Sequence, residues 1–553
     1  GAIEFANELT YIGANAFKNT AISNITLPNG NMSIAAGAFN NSALSTLTLS
    51  ANTLISFEGK TPFVDCDSFN RFAISGTNAN YSVDENGILY NKDKTQLVAV
   101  PYSITSLTMP STVTSIATGA LSGVNIASLD LSNVRNIGGY AFAGNTAITS
   151  VKLPSGLTEI PAGLFEGCTN LTSVTADDSF ASVTKIGENA FKNCSALTGV
   201  AMANVKEIGD GAFEFSAITA VPGAKIEKIG ANAFANTKLI TAILNMVTEL
   251  GSNAFMNIST LTAVELGGVT SMGEGVFQGS TAITSVVFGA GTKRIGARAF
   301  YSENKVDTAI TVTLPETVDF IEQYAFYNLA GLTTINLGGV KYVDQYAFAY
   351  TGLAIADLAG VKQIGYGAFA YTKLTSANLV SANIVGESAF FNCSELTSVT
   401  FGALKRIGAY AFFNSKLTSV TLPASFDART YTYEWNTYDE KGDLEDEKAR
   451  EELAYSPAAF SGISTLAEIK VAEGNKTFFD VDGVLYSRVP NGYAIEQYPV
   501  NKAGKEYTII DNTVLISESA FEYTVNLNKV TIPYTVKTVG AYAFFKSNCS
   551  EYI

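Results

Sequence analysis

A phenylalanine, usually preceded by alanine, recurs along most of this chain at an almost constant interval. Neighbouring members of the series are 21 to 26 residues apart. The series comprises Phe142, Phe165, Phe191, Phe213, Phe234, Phe255, Phe277, Phe300, Phe326, Phe348, Phe369, Phe390 and Phe412. A repeat of this length is typical of stacked coils, in which each coil contacts its neighbours and the core grows in one dimension. We therefore expect residues 1–553 to form a single elongated solenoid rather than several globular domains.

Each repeat carries the same apolar pattern. In one repeat the apolar residues are Leu261, Val264, Leu266, Val269, Met272 and Phe277. The Leu-x-x-Val-x-Leu segment predicts a short strand whose alternate residues face the interior, and stacked strands would form a parallel sheet. The Ile-Gly pair that follows, as at Ile186 and Gly187, predicts a tight turn, and the Ala-Phe pair predicts a short helical turn. The predicted fold class is an α/β repeat solenoid with one parallel sheet face, short helical turns opposite and β-hairpin insertions.

Two further positions of the repeat carry residues of a restricted type. Asn or Gly often stands two residues after the phenylalanine, and these residues best tolerate the left-handed backbone conformation. We predict that conformation at Gly144, Gly167, Asn193, Asn236, Asn257, Asn392 and Asn414. Three of the five cysteines, Cys168, Cys194 and Cys393, stand three residues after their phenylalanine. We interpret a periodic cysteine as a small buried filler rather than as a reactive thiol.

Two insertions in the repeat pattern are similar to each other. Segments 66–101 and 469–499 each contain alternating apolar residues around a turn pair, Asn86-Gly87 in the first and Asp482-Gly483 in the second. Such pairs are strong signals for β-hairpins, so we predict two hairpin modules. A calcium loop of the EF-hand type starting at Asp480 would need Glu at its twelfth position, where this chain has Asn491. We predict no metal site and no cofactor.

A third insertion, 424–457, is the least repeat-like part of the chain. Its candidate ligand-binding residues surround the single tryptophan and are Tyr431, Tyr433, Trp435 and Tyr438. Asp443–Leu453 predicts a short charged helix, capped at Asp443, with Asp446 and Arg450 one turn apart. Two interpretations stay open. Long insertions in repeat proteins often lie on the binding face, which favours a recognition knob with an aromatic tip; the other interpretation is a surface flap whose aromatic rings pack onto the solenoid.

Composition excludes several classes of function. The chain contains no histidine, which removes the commonest general base, metal ligand and pH switch. No spacing indicates a paired-carboxylate or phosphate-binding site, so we predict no catalytic residue and no enzyme. The formal net charge of −15 at pH 7 would repel nucleic acid and anionic lipid headgroups. No apolar run approaches the roughly 20 residues of a membrane span.

The unit Ile-Gly-x-x-Ala-Phe-x-Asn-Cys-x-x-Leu-Thr-x-Val-x-Leu-Pro resembles the BspA-like, Treponema-type leucine-rich repeats of bacterial surface proteins. The Asn-x-x-Tyr…Asp-Gly-Val-Leu-Tyr…Pro pattern of the hairpin modules also recurs in that family. The resemblance covers nearly the whole chain except 424–457. It implies a leucine-rich-repeat solenoid that is secreted or surface-anchored and adheres to host matrix proteins or other bacteria, and it supplies no family-wide binding residue. The chain departs from the general leucine-rich consensus because valine stands where Asn or Cys is usual, at Val134, Val205, Val269 and Val340.

Tyrosines cluster beside the phenylalanines in the second half of the chain. Those that precede the phenylalanine are Tyr324, Tyr346, Tyr366 and Tyr410, and those that follow it are Tyr327, Tyr350 and Tyr371. In a solenoid they would line up as an aromatic ridge, which either binds sugar rings or a protein partner or stiffens the repeats by mutual packing. The outward positions of the strands, such as Ser150 and Lys152, are small and weakly polar and lack the Trp, Tyr and Arg of interface hot spots.

The leading functional hypothesis is a non-catalytic, adhesin-like interaction protein. It would bind a protein or glycan on a host or bacterial surface through its extended repeat surface, and it would be extracellular or attached to the cell surface. The alternative is a glycan-binding surface protein that uses the tyrosine ridge and the insertion around Trp435. Because the sequence opens at Gly1 inside a repeat, we expect its targeting and anchoring segments to lie outside it.

Overall fold

The structure of the chain is a computed structural model that describes residues 2–5, 8–428, 430–438, 444–456 and 458–552. The backbone alone is described at residues 2, 4, 431–438, 444–453 and 551–552. The chain divides into two compact units, unit 1 (Gly1–Leu261) and unit 2 (Thr262–Ile553). The expectation of one continuous solenoid over 1–553 stays a prediction.

Each coil of unit 1 has three sides. The first is in many coils a strand of three or four residues, the second is usually a strand of two residues, and the third is a turn around the phenylalanine. Strands pair in parallel with the same side of the next coil, as Ser150–Leu153 does with Ser173–Ala176 and Glu159–Ile160 does with Lys185–Ile186. Buried and exposed residues alternate along Ser150–Leu153, so the pleat of the strand directs every second side chain into the coil.

The strands of unit 1 fall into three groups. The first-side strands are Ala2–Glu4, Asn24–Leu27, Thr46–Leu49, Arg71–Ile74, Ser150–Leu153, Ser173–Ala176 and Thr241–Ile243. The second-side strands are Tyr11–Ile12, Gly30–Ala35, Thr53–Glu58, Ser115–Ile116, Asn136–Ile137, Glu159–Ile160, Lys185–Ile186, Glu207–Ile208, Lys228–Ile229 and Glu249–Leu250. The first hairpin module contributes Tyr81–Val83, Leu89–Asn91 and Gln96–Ala99.

Unit 2 repeats this arrangement. Its first-side strands are Ala263–Leu266, Ser285–Phe288, Thr311–Thr313, Thr334–Ile335, Ile355–Ala356, Ser376–Leu379, Ser398–Phe401, Ser419–Leu422, Glu468–Val471, Glu506–Thr508, Lys529–Thr531 and Glu551–Tyr552. Its second-side strands are Ser271–Met272, Arg294–Ile295, Phe320–Ile321, Tyr342–Val343, Gln363–Ile364, Ile384–Val385, Arg406–Ile407, Thr513–Ile516 and Thr538–Val539. The remaining strands belong to the two insertions and are Thr430–Tyr438, Leu444–Leu453, Phe478–Val481, Val484–Val489 and Gly492–Gln497.

The turns on the third side of the coil differ from the predicted fold class. Among the described residues there is no helix, so the α/β prediction with short helical turns is wrong and the fold is a β-solenoid of parallel strands. The amides of Asn189, Phe191 and Asn193 donate to main-chain carbonyls of the next coil at 2.7–2.8 Å. An α-helix would need those amides for bonds to carbonyls four residues back in its own coil. Asn189 and Asn193 both have positive φ, and the left-handed conformation interrupts a right-handed helix.

The Ile-Gly pair is also placed differently from the prediction. Its isoleucine, for example Ile186 or Ile208, belongs to a second parallel sheet. The sequence had led us to expect a tight turn at this place and only one sheet. The following glycine is required by close packing of coils. A Cβ on Gly209 would lie 2.6 Å from the amide nitrogen of Glu188 and 2.9 Å from the carbonyl carbon of Gly187. A distance under 3.0 Å is shorter than real Cβ contacts, so a larger residue would push the coils apart.

The phenylalanines fill the coil interior as stacked rings. In unit 1 the ring of Phe234 lies between those of Phe213 and Phe255, at centroid distances of 5.5 and 5.1 Å, and it is fully buried. The stack also contains Phe63, 5.6 Å from Phe39. Phe63 was missed in the sequence because proline precedes it in place of alanine. The predicted left-handed conformation two residues after the phenylalanine is confirmed at all seven positions.

The periodic cysteines are buried, as predicted, and they also make a directed contact. The thiols of Cys168, Cys194 and Cys393 each donate to the carbonyl of the phenylalanine in the preceding coil at 3.1 Å. All three side chains are fully buried. Burial raises the pKa of Cys168 to about 12 and that of Cys393 to about 11. The cysteine therefore satisfies a carbonyl as well as filling space.

We expect these three thiols to be unreactive in the folded protein. The thiolate is the reactive form of cysteine, and both burial and the raised pKa suppress it at pH 8. Iodoacetamide labelling followed by peptide mass spectrometry should find Cys168, Cys194 and Cys393 unmodified in the native protein and fully modified in urea. Labelling of Cys168 in the native protein at the rate seen in urea would contradict the burial of this side chain.

Each hairpin module contains an antiparallel strand pair, while the bounds of the two modules stay a prediction. In the second, Val481 pairs with Val484 across the two-residue turn Asp482-Gly483, and both turn residues have positive φ, as a type I′ turn requires. In the first, Gly87 has positive φ and Val83 pairs with Leu89 across a longer loop. Each module ends in a strand that pairs in parallel with a second-side strand of the solenoid.

The insertion 424–457 contains a β-hairpin. Thr430–Tyr438 pairs antiparallel with Leu444–Leu453, so the helix predicted over Asp443–Leu453 is wrong; Asp443 itself lies outside the described residues. The first strand is rich in Tyr, Thr and Trp, which favour extended structure. Pairing with it outweighs the helical propensity of the charged second strand, since tertiary context overrides propensity. The ends of the insertion are anchored, because Phe426 and Tyr455 are buried.

Candidate interaction surface

The tyrosines singled out in the sequence lie on the third side of unit 2. Their rings contact one another from coil to coil and form a continuous surface, which we call the aromatic ridge. The aromatic ridge comprises Tyr301, Tyr324, Tyr327, Tyr346, Tyr350, Tyr366, Tyr371, Phe391, Tyr410 and Phe413. The predicted alignment is seen for Tyr324, Tyr346 and Tyr366, whereas Tyr410 contacts Phe413 and is separated from Tyr366 by the repeat that carries Ser388. Ligand binding by these residues stays a prediction.

The aromatic ridge has two rows that follow the solenoid. In the row before the phenylalanine, Tyr324 and Tyr346 are 5.2 Å apart. In the row after it, Tyr350 and Tyr371 are 4.3 Å apart. The rows contact each other, since the centroids of Tyr324 and Tyr327 are 5.4 Å apart. Neighbouring rings of the row after the phenylalanine are 4.3–5.7 Å apart, whereas Ser388 interrupts the row before it.

The main chain holds many of these rings in an unusual conformation. Residues of the aromatic ridge with φ between 53° and 61° are Tyr324, Tyr346, Tyr350, Tyr371 and Tyr410. In unit 1 the equivalent left-handed positions hold mostly Asn or Gly, and the aromatic exceptions among its described residues are Tyr140 and Phe215. A side chain with a Cβ is disfavoured by roughly 1–2 kcal/mol in this conformation. Tyrosine at these positions therefore lowers the stability of the backbone relative to Gly.

Neighbouring coils fix the orientation of the rings. The amides of Tyr346 and Tyr350 donate to the main-chain carbonyls of Tyr366 and Ala370 at 2.8 and 2.9 Å. A Cβ on Gly367 would lie 2.6 Å from Cε1 of Tyr346, so that ring lies directly over the next coil. In this repeat the tyrosine, Tyr366, stands three residues before the phenylalanine instead of two. Gly367 stands at the usual position of the tyrosine, which the ring from the preceding coil covers.

Three tyrosines of the aromatic ridge are partly exposed and contact neighbouring rings. Tyr350, Tyr366 and Tyr371 are 38–41% exposed. The rings of Tyr350 and Tyr371 are inclined by 10°, so each covers a face of the other. The rings of Tyr346 and Tyr366 are inclined by 74°, an edge-to-face contact. These four rings thus cover part of one another within the aromatic ridge.

Four hydroxyl groups of the aromatic ridge have raised pKa values. Burial, followed by the charge of and a hydrogen bond with the neighbouring Tyr371, raises the pKa of Tyr350 to about 12. Burial, then a hydrogen bond with Tyr366, raises the pKa of Tyr346. The pKa values of Tyr327 and Tyr410 are also raised, mainly by burial. These four phenols therefore remain neutral at physiological pH.

Tertiary structure extends the aromatic ridge beyond the residues found in the sequence. At one end the guanidinium of Arg298 lies 5.8 Å from the ring centre of Tyr324, within the range of a cation–π contact. At the other end Tyr523 lies 5.9 Å from Phe413, although the second hairpin module separates them in the sequence. The sequence signal for Phe413 was its place directly after a phenylalanine of the repeat, as in Phe390-Phe391.

The other predicted ligand-binding residues belong to the hairpin insertion. Tyr431, Tyr433, Trp435 and Tyr438 all lie on the strand Thr430–Tyr438. The register places Tyr433 opposite Arg450 and Trp435 opposite Lys448. Their side chains lie outside the described part of the structure, so a role for them in binding stays a prediction.

Two negative findings apply to the described residues alone. Within them, no three Cys, Asp, Glu or His residues are grouped so as to hold a metal ion. At the position weighed as a calcium loop, Asp480 accepts a hydrogen bond from the amide of Val471 and Asp482 forms an ion pair with Lys502, both at 2.9 Å. Across the same described ranges, no helix is long and apolar enough to span a bilayer.

The fold is that of a leucine-rich-repeat β-solenoid with aromatic third-side turns. The family model described as "BspA type Leucine rich repeat region" matches six stretches, 1–91, 100–219, 184–307, 304–384, 362–480 and 500–553. These stretches cover most of the chain, which therefore belongs to the BspA-type leucine-rich-repeat family. No curated protein matches the chain.

Several solved structures are similar to the chain. A leucine-rich repeat protein from Bacteroides ovatus is 19% identical, with 77% of this chain and 87% of that chain covered and a TM-score of 0.37. The pneumococcal vaccine antigen PcpA is 21% identical, with 48% and 54% covered and a TM-score of 0.31. A leucine-rich repeat protein from Eubacterium ventriosum is 20% identical, with 46% and 75% covered and a TM-score of 0.33. The family assignment rests on the repeat pattern.

Proposed function

We propose that this chain is a non-catalytic interaction protein that binds surface proteins of a host or of other bacteria through the aromatic ridge of unit 2. The observation that carries the proposal is the row of tyrosines at left-handed backbone positions. Strained residues are retained where the surrounding structure enforces them, and they cluster at functional sites. Asn or Gly would satisfy the turn at lower cost, as in most of unit 1. The contacts of the tyrosine side chains, and not the requirements of the turn, therefore best explain why tyrosine stands at these positions.

Tyrosine is well suited to an interface. It combines a large apolar body with a polar tip, and it is enriched among the residues that dominate binding energies. The rings of the aromatic ridge are held by stacking and by main-chain hydrogen bonds between coils, so little conformational entropy is lost when a partner binds. The first-side strands offer small residues such as Ser150 and separate exposed aliphatic residues such as Ile243 and Ile355 instead of a row of tyrosine rings, so they are the weaker candidate surface.

A glycan ligand is the less favoured alternative. Stacking of a sugar on tyrosine would require an accessible ring face, and in the aromatic ridge most faces are covered by neighbouring rings, as with Tyr350 and Tyr371. A protein partner can use ring edges and hydroxyl groups instead. The hairpin Thr430–Tyr438 and Leu444–Leu453 is a second proposed contact, since an insertion of this length in a repeat protein often lies on its binding face.

The proposal places the protein outside the cell or on its surface. Support comes from the family assignment, and the similar solved structures include a leucine rich cell surface protein from Faecalibacterium prausnitzii. The net charge of −15 disfavours nucleic acid as a partner. The absence of histidine from the sequence leaves a narrow choice of acid–base chemistry, in keeping with a role in binding.

We expect the double variant Tyr350→Asn/Tyr371→Asn to lose binding to partner proteins. Asn tolerates the left-handed conformation, so the turn is kept while two of the most exposed rings are removed. Against a panel of matrix proteins, mucins and bacterial surface proteins, the parent should bind at least one member by surface plasmon resonance. The double variant should bind that member at least tenfold more weakly, since hot-spot truncations cost about 2 kcal/mol or more.

The matched control is Phe215→Asn, which removes a half-exposed ring from a left-handed position two residues after a phenylalanine in unit 1. It should leave binding unchanged. A deletion of 424–457 measured beside it reports the separate contribution of the hairpin insertion. The proposal fails if the double variant binds every member of the panel as the parent does.

A further inference from the structure

We propose that Asp344, Glu322 and Arg294 act as a pH-responsive element beneath the aromatic ridge and stabilise its coils when the medium becomes mildly acidic. The inference goes beyond the proposed function, because it concerns the fold under the aromatic ridge and not the partner. It depends on where the two carboxyl groups lie, on the one cation beside them and on the turn to which Asp344 belongs. We call Glu322 and Asp344 the carboxyl pair.

The carboxyl pair occupies the place that holds glycine in most coils, directly after the second-side strand. Because Ile321 pairs with Val343 in parallel register, Glu322 and Asp344 lie at the same position of successive coils. The next coil returns to glycine, and a Cβ on Gly365 would lie 2.8 Å from the carbonyl carbon of Asp344. The carboxyl pair therefore lies close to the main chain of neighbouring coils, and both of its members are only partly exposed.

One member of the carboxyl pair, Glu322, binds the cation. Nε of Arg294 donates to Oε1 of Glu322 at 3.0 Å, and Nη2 donates to the same oxygen. The amide of Ala297 donates to Oε2 at 3.0 Å. The guanidinium carbon lies 4.8 Å from the ring centre of Phe320, a cation–π contact that helps to hold it in place. Arg294 therefore neutralises Glu322 first.

The other member, Asp344, lies in a less favourable environment for a charge. Its Oδ1 accepts a hydrogen bond from the amide of Gln345 at 2.6 Å. Within the described residues, the charged groups that act on it are Glu322, from the preceding coil, and Arg294, from the coil before that; the following coil places Gly365 against it. Since parallel strands are about 4.8 Å apart, a second negative charge beside Glu322 is repelled. Burial raises the pKa of Asp344 to about 6; the Gln345 amide opposes this rise, the charge of Glu322 adds to it and that of Arg294 opposes it.

The raised pKa makes the folded state the stronger proton acceptor at this site. The carboxyl group of an aspartate ordinarily titrates near 3.8, so between that value and about 6 the folded chain holds a proton on Asp344 that the unfolded chain does not. The free energy of unfolding therefore rises as the pH falls through this range. A carboxylate whose pKa is lowered by a cation in the folded state would give the opposite sign.

The turn that begins at Asp344 carries part of the aromatic ridge. The amide of Tyr346, two residues on, donates to the carbonyl of Tyr366 at 2.8 Å, and the carbonyl of Gln345 accepts from the amide of Tyr324 at 3.0 Å. Opening of this turn would therefore release the main chain that positions the rings of Tyr324 and Tyr346. We expect this part of the aromatic ridge to be more firmly ordered in a mildly acidic medium than at neutral pH.

The test is native-state hydrogen exchange of the full chain, measured by mass spectrometry on peptides that contain residues 342–350. Asp344→Asn has nearly the shape of the parent and cannot titrate, so at pH 7 this segment should open less readily in the variant. Between pH 7 and pH 5, after correction for the intrinsic exchange rate, the opening constant of the parent should fall about tenfold relative to that of the variant. Asp357→Asn, which changes an exposed aspartate of unit 2, is the matched control and should behave as the parent does.

A second variant separates titration from packing. Glu322→Gln removes the neighbouring negative charge and releases Arg294 toward Asp344, so the midpoint of the stabilisation should move to lower pH by about one unit or more. The same exchange measurement in small steps of pH gives that midpoint. Equal pH dependence of the opening constant in the parent and in Asp344→Asn, or an unchanged midpoint in Glu322→Gln, would overturn the inference. No partner is present in these measurements, so such a result would leave the proposed function standing.

Discussion

Replacing Phe234 with alanine should destabilise the coils of unit 1 by about 3–5 kcal/mol, the usual cost of truncating a fully buried phenylalanine. The ring is fully buried and stacks on Phe213 and Phe255 at 5.5 and 5.1 Å. Its removal leaves a cavity between two coils, and in a solenoid each coil is stabilised mainly by its neighbours. Urea unfolding and native-state hydrogen exchange at the amides of Phe213 and Phe234 would measure the loss.

Phe215→Ala is the matched control for this variant. The ring of Phe215 belongs to the same unit but is 48% exposed, so its truncation should change the free energy of unfolding by no more than about 0.5 kcal/mol. Phe234→Leu, which keeps most of the volume, should cost less than about 1.5 kcal/mol. A loss below about 1 kcal/mol for Phe234→Ala would show that this phenylalanine does not fill the coil interior.

Replacing Gly209 with alanine should destabilise unit 1 by about 1–3 kcal/mol, the typical cost of overpacking a close-packed interior. The added Cβ would meet the amide nitrogen of Glu188 at 2.6 Å and the carbonyl carbon of Gly187 at 2.9 Å. Both are main-chain atoms of the preceding coil, so relief requires the two coils to separate and weakens the parallel pairing of Ile186 with Ile208. Thermal unfolding followed by circular dichroism would measure the effect.

Gly199→Ala should have the opposite sign. No atom lies within 4 Å of the Cβ position of Gly199, and the backbone there has no positive φ. A compatible Gly-to-Ala change stabilises a protein by about 0.4–1 kcal/mol, because it reduces the conformational entropy of the unfolded chain. If the two variants unfolded at the same temperature, close contact between coils could not be the reason for the glycine at 209.

Much of the fold follows from local rules that can be read along the chain. The interval between phenylalanines predicts stacked coils, because no other architecture needs that period. The alternation around Val151 and Leu153 predicts an inward-facing strand, and the Asp482-Gly483 pair predicts a hairpin turn. Asn and Gly after the phenylalanine predict the left-handed conformation that is present there. Each of these features depends on a few neighbouring residues, which is why the sequence alone suffices.

Predictions failed where contacts between distant residues decide the local conformation. The Ala-Phe segment has the composition of a helical turn, but its amides donate to carbonyls of the next coil. The left-handed conformation of Asn189 and Asn193 also interrupts a helix there. The charged strand Leu444–Leu453 has helical propensity, but it pairs with Thr430–Tyr438. Glycine after isoleucine resembles a turn signal, but at Gly209 it is required by the adjacent coil. In all three cases the deciding partner lies a full coil or a strand away.

The sequence alone determined the repeat, the inward apolar residues, the two hairpins and the membership of the chain in the BspA-type family. Each of these depends on residue types at fixed local spacing. The tertiary structure decided that three sides close the coil without a helix, and that the tyrosines of unit 2 contact one another from Tyr301 to Phe413 and on to Tyr523. It also decided that neighbouring rings such as those of Tyr350 and Tyr371 stack on each other. Those properties depend on how coils stack and on which segments the insertions bring together, and they define the surface through which we propose that the protein binds.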